Sequence, residues 1–112
     1  MEYSENELNE FTELISQDLQ NGEVDKIAGL FSYNRGLYPV LARLMQGDMF
    51  VRLGVNMLME ILAETRPEDI REAIPILEPL LRDENPTIRG DVADIISIIG
   101  GRKHIDLLKP PG

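Results

Sequence analysis

The stretch Ile74–Arg89, IPILEPLLRDENPTIR, places Pro75, Pro79 and Pro86 within twelve positions. Its flanks have helical apolar spacing, yet a proline inside a helix costs about 3 kcal/mol. The prolines must therefore sit where a helix begins or bends. Asn85 is a suitable N-cap and Pro86 a suitable first residue, so a helix is expected over 86–101. Ile88, Val92, Ile95, Ile96 and Ile99 form its core face, and Gly100-Gly101 is the expected stop. The isoleucines at 95–99 also suit a buried strand, but about 14 residues between start and stop is a helix length. Pro79 lies one turn further into its segment than Pro75. It predicts a kink near 71–76 rather than one straight helix from Pro67 to Arg82.

The same stretch is half of an internal repeat. YPVLARLM (38–45) aligns with IPILEPLL (74–81) at an offset of 36, which superposes Pro39 on Pro75. VRLGVNMLMEIL (51–62) aligns with IRGDVADIISII (88–99) at an offset of 37, which superposes Arg52 on Arg89 and Val55 on Val92. IDLLKP (105–110) aligns with IPILEP at an offset of 31. The chain thus reads as helix pairs at 37–64 and 67–101, followed by a partial unit at 103–110.

Upstream, residues 4–20 form an amphipathic helix with apolar positions Leu8, Phe11, Ile15 and Leu19. Ser4 and Glu7 have capping-box spacing, and Asn21-Gly22 supplies a left-handed end. A shorter helix over 23–32 carries Val24, Ile27 and Phe31, and residues 37–45 form a third helix with Pro39 in its first turn. The segment 49–64 is apolar nearly all round, with only Arg52, Asn56 and Glu60 as a polar stripe. Such a helix is expected in the middle of a stack.

The pattern of Ile74, Pro75, Leu77, Leu80, Leu81, Asp83, Pro86, Ile88, Arg89, Val92, Ile95, Ile99 and Gly100 resembles HEAT repeats. The nearest form is the short one named after phycobiliprotein lyases, and the likeness covers about residues 37–110. The resemblance implies an all-α fold: a short right-handed superhelix of antiparallel helix pairs, here with residues 1–35 as an acidic N-terminal cap. It implies a polar ladder between neighbouring repeats, for which Asp83 and Arg89 have the spacing. The first unit has Arg52 but carries Gln46 where the aspartate belongs. It also implies a concave face lined by second helices. Met57, Ile61, Asp91, Asp94 and Ile98 are the candidate groove residues there, since Ala93 and Ser97 suit helix contact on the other line. Met57 and Ile61 have an alternative place beneath the N-terminal helices. Apolar anchors rimmed by acids suit a basic amphipathic segment as partner.

Composition narrows the classes. The 112 residues suit one domain, and 43% apolar content excludes global disorder. There is no cysteine, so disulfides, thiol nucleophiles and cysteine metal sites are out. The acidic N-terminus lacks a signal-peptide pattern and no apolar run spans a membrane, so the expected location is the cytoplasm. Net charge is −9, of which residues 1–25 carry −8. That segment reads as a solvated helix face or as an acidic docking surface, and either repels phosphate backbones. With no basic stripe and 5% aromatic residues, nucleic-acid binding is not expected.

No catalytic, cofactor or metal site is expected. His104 is the only histidine and lacks zinc-ligand companions. No nucleophile elbow surrounds Ser32 or Ser97, and no phosphate-binding glycine motif occurs. Asp91 and Asp94 without an ordered loop are a weak cation signal, better read as a solvated face. The leading expectation is a non-enzymatic protein-interaction or scaffold module. Two alternatives stand beside it: a lyase or isomerase acting on a tetrapyrrole chromophore, which only the resemblance implies, and the terminal segment of a larger repeat protein. Ile105, Leu107 and Leu108 begin a unit whose second helix is missing, and such an open edge favours a homodimer.

Overall fold

The computed structural model describes residues 2–108, with side chains for residues 2–100. All regular structure among them is helical. The elements are α1 (Glu5–Gln20), α2 (Val24–Ser32), α3 (Val40–Leu44), α4 (Met49–Thr65), α5 (Ile74–Leu77) and α6 (Pro86–Leu108). A 3-10 turn at Arg35–Leu37 leads into α3, and 3-10 segments at Asp69–Ala73 and Glu78–Arg82 flank α5.

Local chemistry sets most boundaries. At the start of α1 the Ser4 hydroxyl accepts from the Glu7 amide, while the Glu7 carboxylate accepts from the Ser4 amide at 2.9 Å. At its end Gly22 takes φ +79°, a conformation that side chains other than glycine rarely adopt. This lets the Glu23 amide reach back to the Asp18 carbonyl and the Gly22 amide to that of Leu19, satisfying carbonyls the helix would otherwise leave unpaired. The helix α4 starts behind Asp48, whose carboxylate accepts from the Val51 amide at 2.9 Å. The helix α6 starts behind Asn85, whose side-chain oxygen accepts from the Thr87 amide at 2.9 Å. Asp48 and Asn85 are 37 positions apart, the offset of the sequence repeat.

The proline-rich stretch is broken into three short pieces. Pro75 and Pro79 cannot donate, and each ring crowds the carbonyl four residues before it, so a continuous α-ladder cannot form. The chain tightens into 3-10 geometry on both sides of a single α-turn. Pro67 begins no helix. It lies in a turn ahead of the first 3-10 segment.

The helices pack in two rows. In one, α1 contacts α3 and α3 contacts α5; in the other, α2 contacts α4 and α4 contacts α6. A single core runs between the rows. Leu8, Ile15 and Leu19 of α1 meet Ile27 and Phe31 of α2, Leu41 and Leu44 of α3, and Val55, Leu58, Met59 and Leu62 of α4. The core continues through Ile70 and Leu77 to Ile88, Val92, Ile95 and Ile99. Full burial of one such side chain contributes about 1.5–3 kcal/mol, so α4, central in its row, anchors the assembly.

One expected boundary is overturned. Gly100-Gly101 does not stop the last helix, which runs on to Leu108, where a separate helix from 103 was expected. Glycine costs about 1 kcal/mol in a helix interior but keeps its amide, so an already propagating ladder can cross it. The side chains of His104, Ile105, Leu107 and Leu108 lie outside the described residues, and with them the expected self-association edge.

Candidate functional site

The outward face of α4 departs most from an ordinary helical surface. Met49, Phe50, Leu53 and Met57 are 63%, 65%, 58% and 48% exposed. Met49, Leu53 and Met57 stand four apart in one line along the helix, and Phe50 lies beside it three residues before Leu53. Scattered apolar side chains on a surface are normal, but four large ones together form a patch of the kind that marks interaction sites. The expectation that α4 lies mid-stack agrees with its contacts. The alternative place for Met57 beneath the N-terminal helices is not the one it takes, since it is exposed.

The position of α4 is held from both sides. Toward α1, Gly54 is buried so closely that a β-carbon there would lie 3.0 Å from Leu19 Cβ. Gln20 of α1 also donates to the Asp48 carboxylate at 3.0 Å. Toward α6, the Arg52 side chain is 11% exposed. Its Nε donates to Asp91 Oδ2 at 2.8 Å and its Nη1 to the Gly47 carbonyl.

This link between units uses other partners than the expected ladder. Arg89 Nη1 donates to the carbonyls of Asp83 and Glu84, at 2.6 and 3.2 Å, within its own turn. The Asp83 carboxylate accepts from the Asn85 amide at 2.9 Å. Arg52 and Arg89 therefore play one local part, tying a carbonyl five residues back to the start of their helix. Only Arg52 also crosses to a neighbouring helix, and its partner is Asp91.

The five expected groove residues divide accordingly. Met57 and Asp94 are exposed. Ile61 is half-buried against the core, and Ile98 is half-buried at the α4–α6 seam. Asp91 belongs to the interhelical ion pair. Sequence reasoning missed Met49, Phe50 and Leu53, because a helix apolar on every side does not show which side stays open.

Two clefts follow one another along the seam between α4 and α6. The first, about 230 Å³, is lined by Met49, Phe50, Leu53, Arg52 and Asn56 with Asp91 and Ile95. The second, about 590 Å³, lies between Glu60, Ala63 and Glu64 of α4 and Ile98, Ile99 and Gly100 of α6, closed below by Pro67, Glu68 and Arg71. Residue numbers rise together on both walls, so the two helices run in the same direction. Among the described residues the seam is apolar at its beginning, where Arg52 is neutralised by Asp91, and carries three glutamates against Arg71 at its end.

A third cleft, about 340 Å³, lies on the other row, lined by Tyr3, Arg35, Tyr38, Glu72 and Ile76 among others. Arg35 Nη1 stands 3.2 Å from Glu72 and 3.6 Å from Asp69. Tyr38 is 2% exposed, and its hydroxyl has no partner among the described residues. Burial, with Asp69 and Glu72 adding to it, pushes the Tyr38 hydroxyl above its ordinary pKa. At neutral pH it is an uncharged phenol, as a tyrosine ordinarily is.

Among the described residues, no group of three or more His, Cys, Asp and Glu is placed to hold a metal ion. No described helix is long and apolar enough to cross a membrane. Comparison with known proteins finds no match to a family model, a curated protein or a solved structure.

Proposed function

We propose that this protein is a non-enzymatic interaction module that docks a protein partner on the open face of α4 and its seam with α6. The carrying observation is the patch of Met49, Phe50, Leu53 and Met57, four large apolar side chains left in solvent on the helix most firmly held by its neighbours. Apolar anchors on a rigid element, beside a cleft and rimmed by charge, are the composition of a binding hot spot. In this reading the three helix pairs form a short right-handed superhelix. The acidic pair α1–α2 caps one end, and second helices line the working surface. The repeated N-caps and the two-row packing support it.

The test is positional. A photo-crosslinking amino acid at Leu53, and separately at Met57, should capture a protein in the cell of origin. The same group at Leu14, exposed on α1, should not. No adduct from either α4 position, or equal adducts from all three, would remove this face from consideration.

A further inference from the structure

Resting on that docking face, we infer that its occupant is a single amphipathic α-helix of about four turns, apolar at one end and basic at the other. It would lie along the α4–α6 seam with its basic end over Glu60 and Glu68.

Three features lead there. The first is length. The exposed line and the two clefts extend from Met49 to Glu64, fifteen residue steps on α4. At 1.5 Å per residue this is about 22 Å, the length of a helix of about 15 residues. The second is shape. A seam between two helices running the same way offers a straight groove, and a third helix filling it presents apolar residues at positions i, i+3 or i+4, and i+7.

The third is charge, which is graded along the groove. At its beginning Arg52 is already bound to Asp91, and Met49, Phe50 and Leu53 dominate. At its end Glu60 and Glu68 line the cleft, and Arg71 is the one base among the described residues of its lining. A helix with Lys or Arg confined to one end satisfies both halves. A uniformly basic helix would desolvate charge against Phe50 and Leu53, and a uniformly apolar one would bury Glu60 and Glu68 without a counter-charge.

Net charge argues against a second copy of this chain as the occupant. Each copy carries −9, so two molecules repel at every approach.

The experiment pans a phage-displayed library of 15-residue helical peptides, randomised at every position, against the full chain. A Leu53→Asp, Met57→Asp double variant serves as decoy. Enriched peptides should share apolar residues at helical spacing, with Lys or Arg gathered at one end. As synthetic labelled peptides, they should lose at least tenfold in affinity against the decoy and at least fivefold between 50 and 300 mM salt. Glu60→Lys with Glu68→Lys should weaken them by a similar factor and favour Glu-ended versions of the same sequences, while Leu14→Asp changes nothing. Far-UV circular dichroism confirms that each variant is folded. Enrichment of acidic or unpatterned peptides, peptides binding the decoy equally, or no enrichment would overturn the inference. So would self-association in sedimentation that Leu53→Asp abolishes. A partner crosslinked at Leu53 together with failed panning would sink the helix and leave the docking face standing.

Discussion

Replacing Gly54 by alanine adds one methyl at a close contact between α4 and α1. Two effects oppose each other. Alanine is favoured over glycine in a helix interior by about 1 kcal/mol. The new β-carbon would lie 3.0 Å from Leu19 Cβ and 3.4 Å from its Cγ and Cδ2, where carbon pairs rest comfortably at about 3.5–4.0 Å. Leu19 Cβ moves only with the α1 backbone, and its carbonyl is tied into the Gly22 turn while Gln20 is tied to Asp48. The clash is thus relieved by separating two helices, an overpacking cost of about 1–3 kcal/mol. The net expectation is destabilisation by about 1 kcal/mol, or about 4 °C in Tm. Gly29 in α2 and Gly90 in α6 are the controls, since a β-carbon at either meets nothing within 4 Å. There the propensity gain stands alone, and alanine should stabilise by about 0.5–1 kcal/mol. Urea unfolding followed at 222 nm gives all three values on one scale. Should Gly54→Ala stabilise as much as Gly29→Ala, the close approach of α1 and α4 would be refuted.

Other consequences are as direct. Ser4→Ala should cost about 1 kcal/mol, because the Glu7 amide loses its cap, and the loss should appear in urea midpoints. A double-mutant cycle on Arg52→Ala and Asp91→Ala should give a coupling of about 1 kcal/mol, whereas one on Arg89 and Asp83 should give almost none, since Arg89 bonds carbonyls. Tyr38→Phe removes a buried hydroxyl with no described partner, so stability should hold or rise, and a loss above about 1 kcal/mol would reveal a bond to that oxygen. The same variant carries a pH signature. The folded-state pKa of Tyr38 is raised, so the stability linked to its proton is complete below the unfolded phenol value of about 10 and drains away as pH rises through the folded value. Urea titrations at pH 9 and pH 11 should show the wild type falling further than Tyr38→Phe.

How much of this was legible in the sequence depended on the range of the interaction. The Ser4–Glu7 box, the Asn21-Gly22 end and the Asn85-Pro86 start involve groups within four residues, and the chain carries them as short spacings. The proline-punctuated segment was readable for the same reason, because a missing amide acts on its own turn. The open face of α4 was not. Met49, Phe50 and Leu53 are as apolar as Val55 and Leu58, and what separates them is where α1, α2 and α6 come to rest. Arg52 was recognised as a repeated position, but its bond to Asp91 spans 39 residues and no local pattern encodes it. Gly100-Gly101 misled because a common stop signal is a preference of about 1 kcal/mol per residue rather than a prohibition.

The broken segment from Asp69 to Arg82 also bears on the order of folding. Helices nucleate at a cost that only a run of hydrogen bonds repays. With α5 four residues long between two 3-10 pieces, this segment cannot hold a helix alone. The sixteen and seventeen residues of α1 and α4 are long enough to begin one. The twenty-three residues of α6 are longer still, so helix formation is expected to start in α1, α4 and α6, with residues 69–82 condensing onto them late. In the native state the same segment should open first. Its amides should exchange with solvent through partial unfolding, while those of Val55, Leu58 and Leu62 await global opening. Residues 69–82 would then be the hinge by which the last helix loosens from the rest, a weakness written by two prolines.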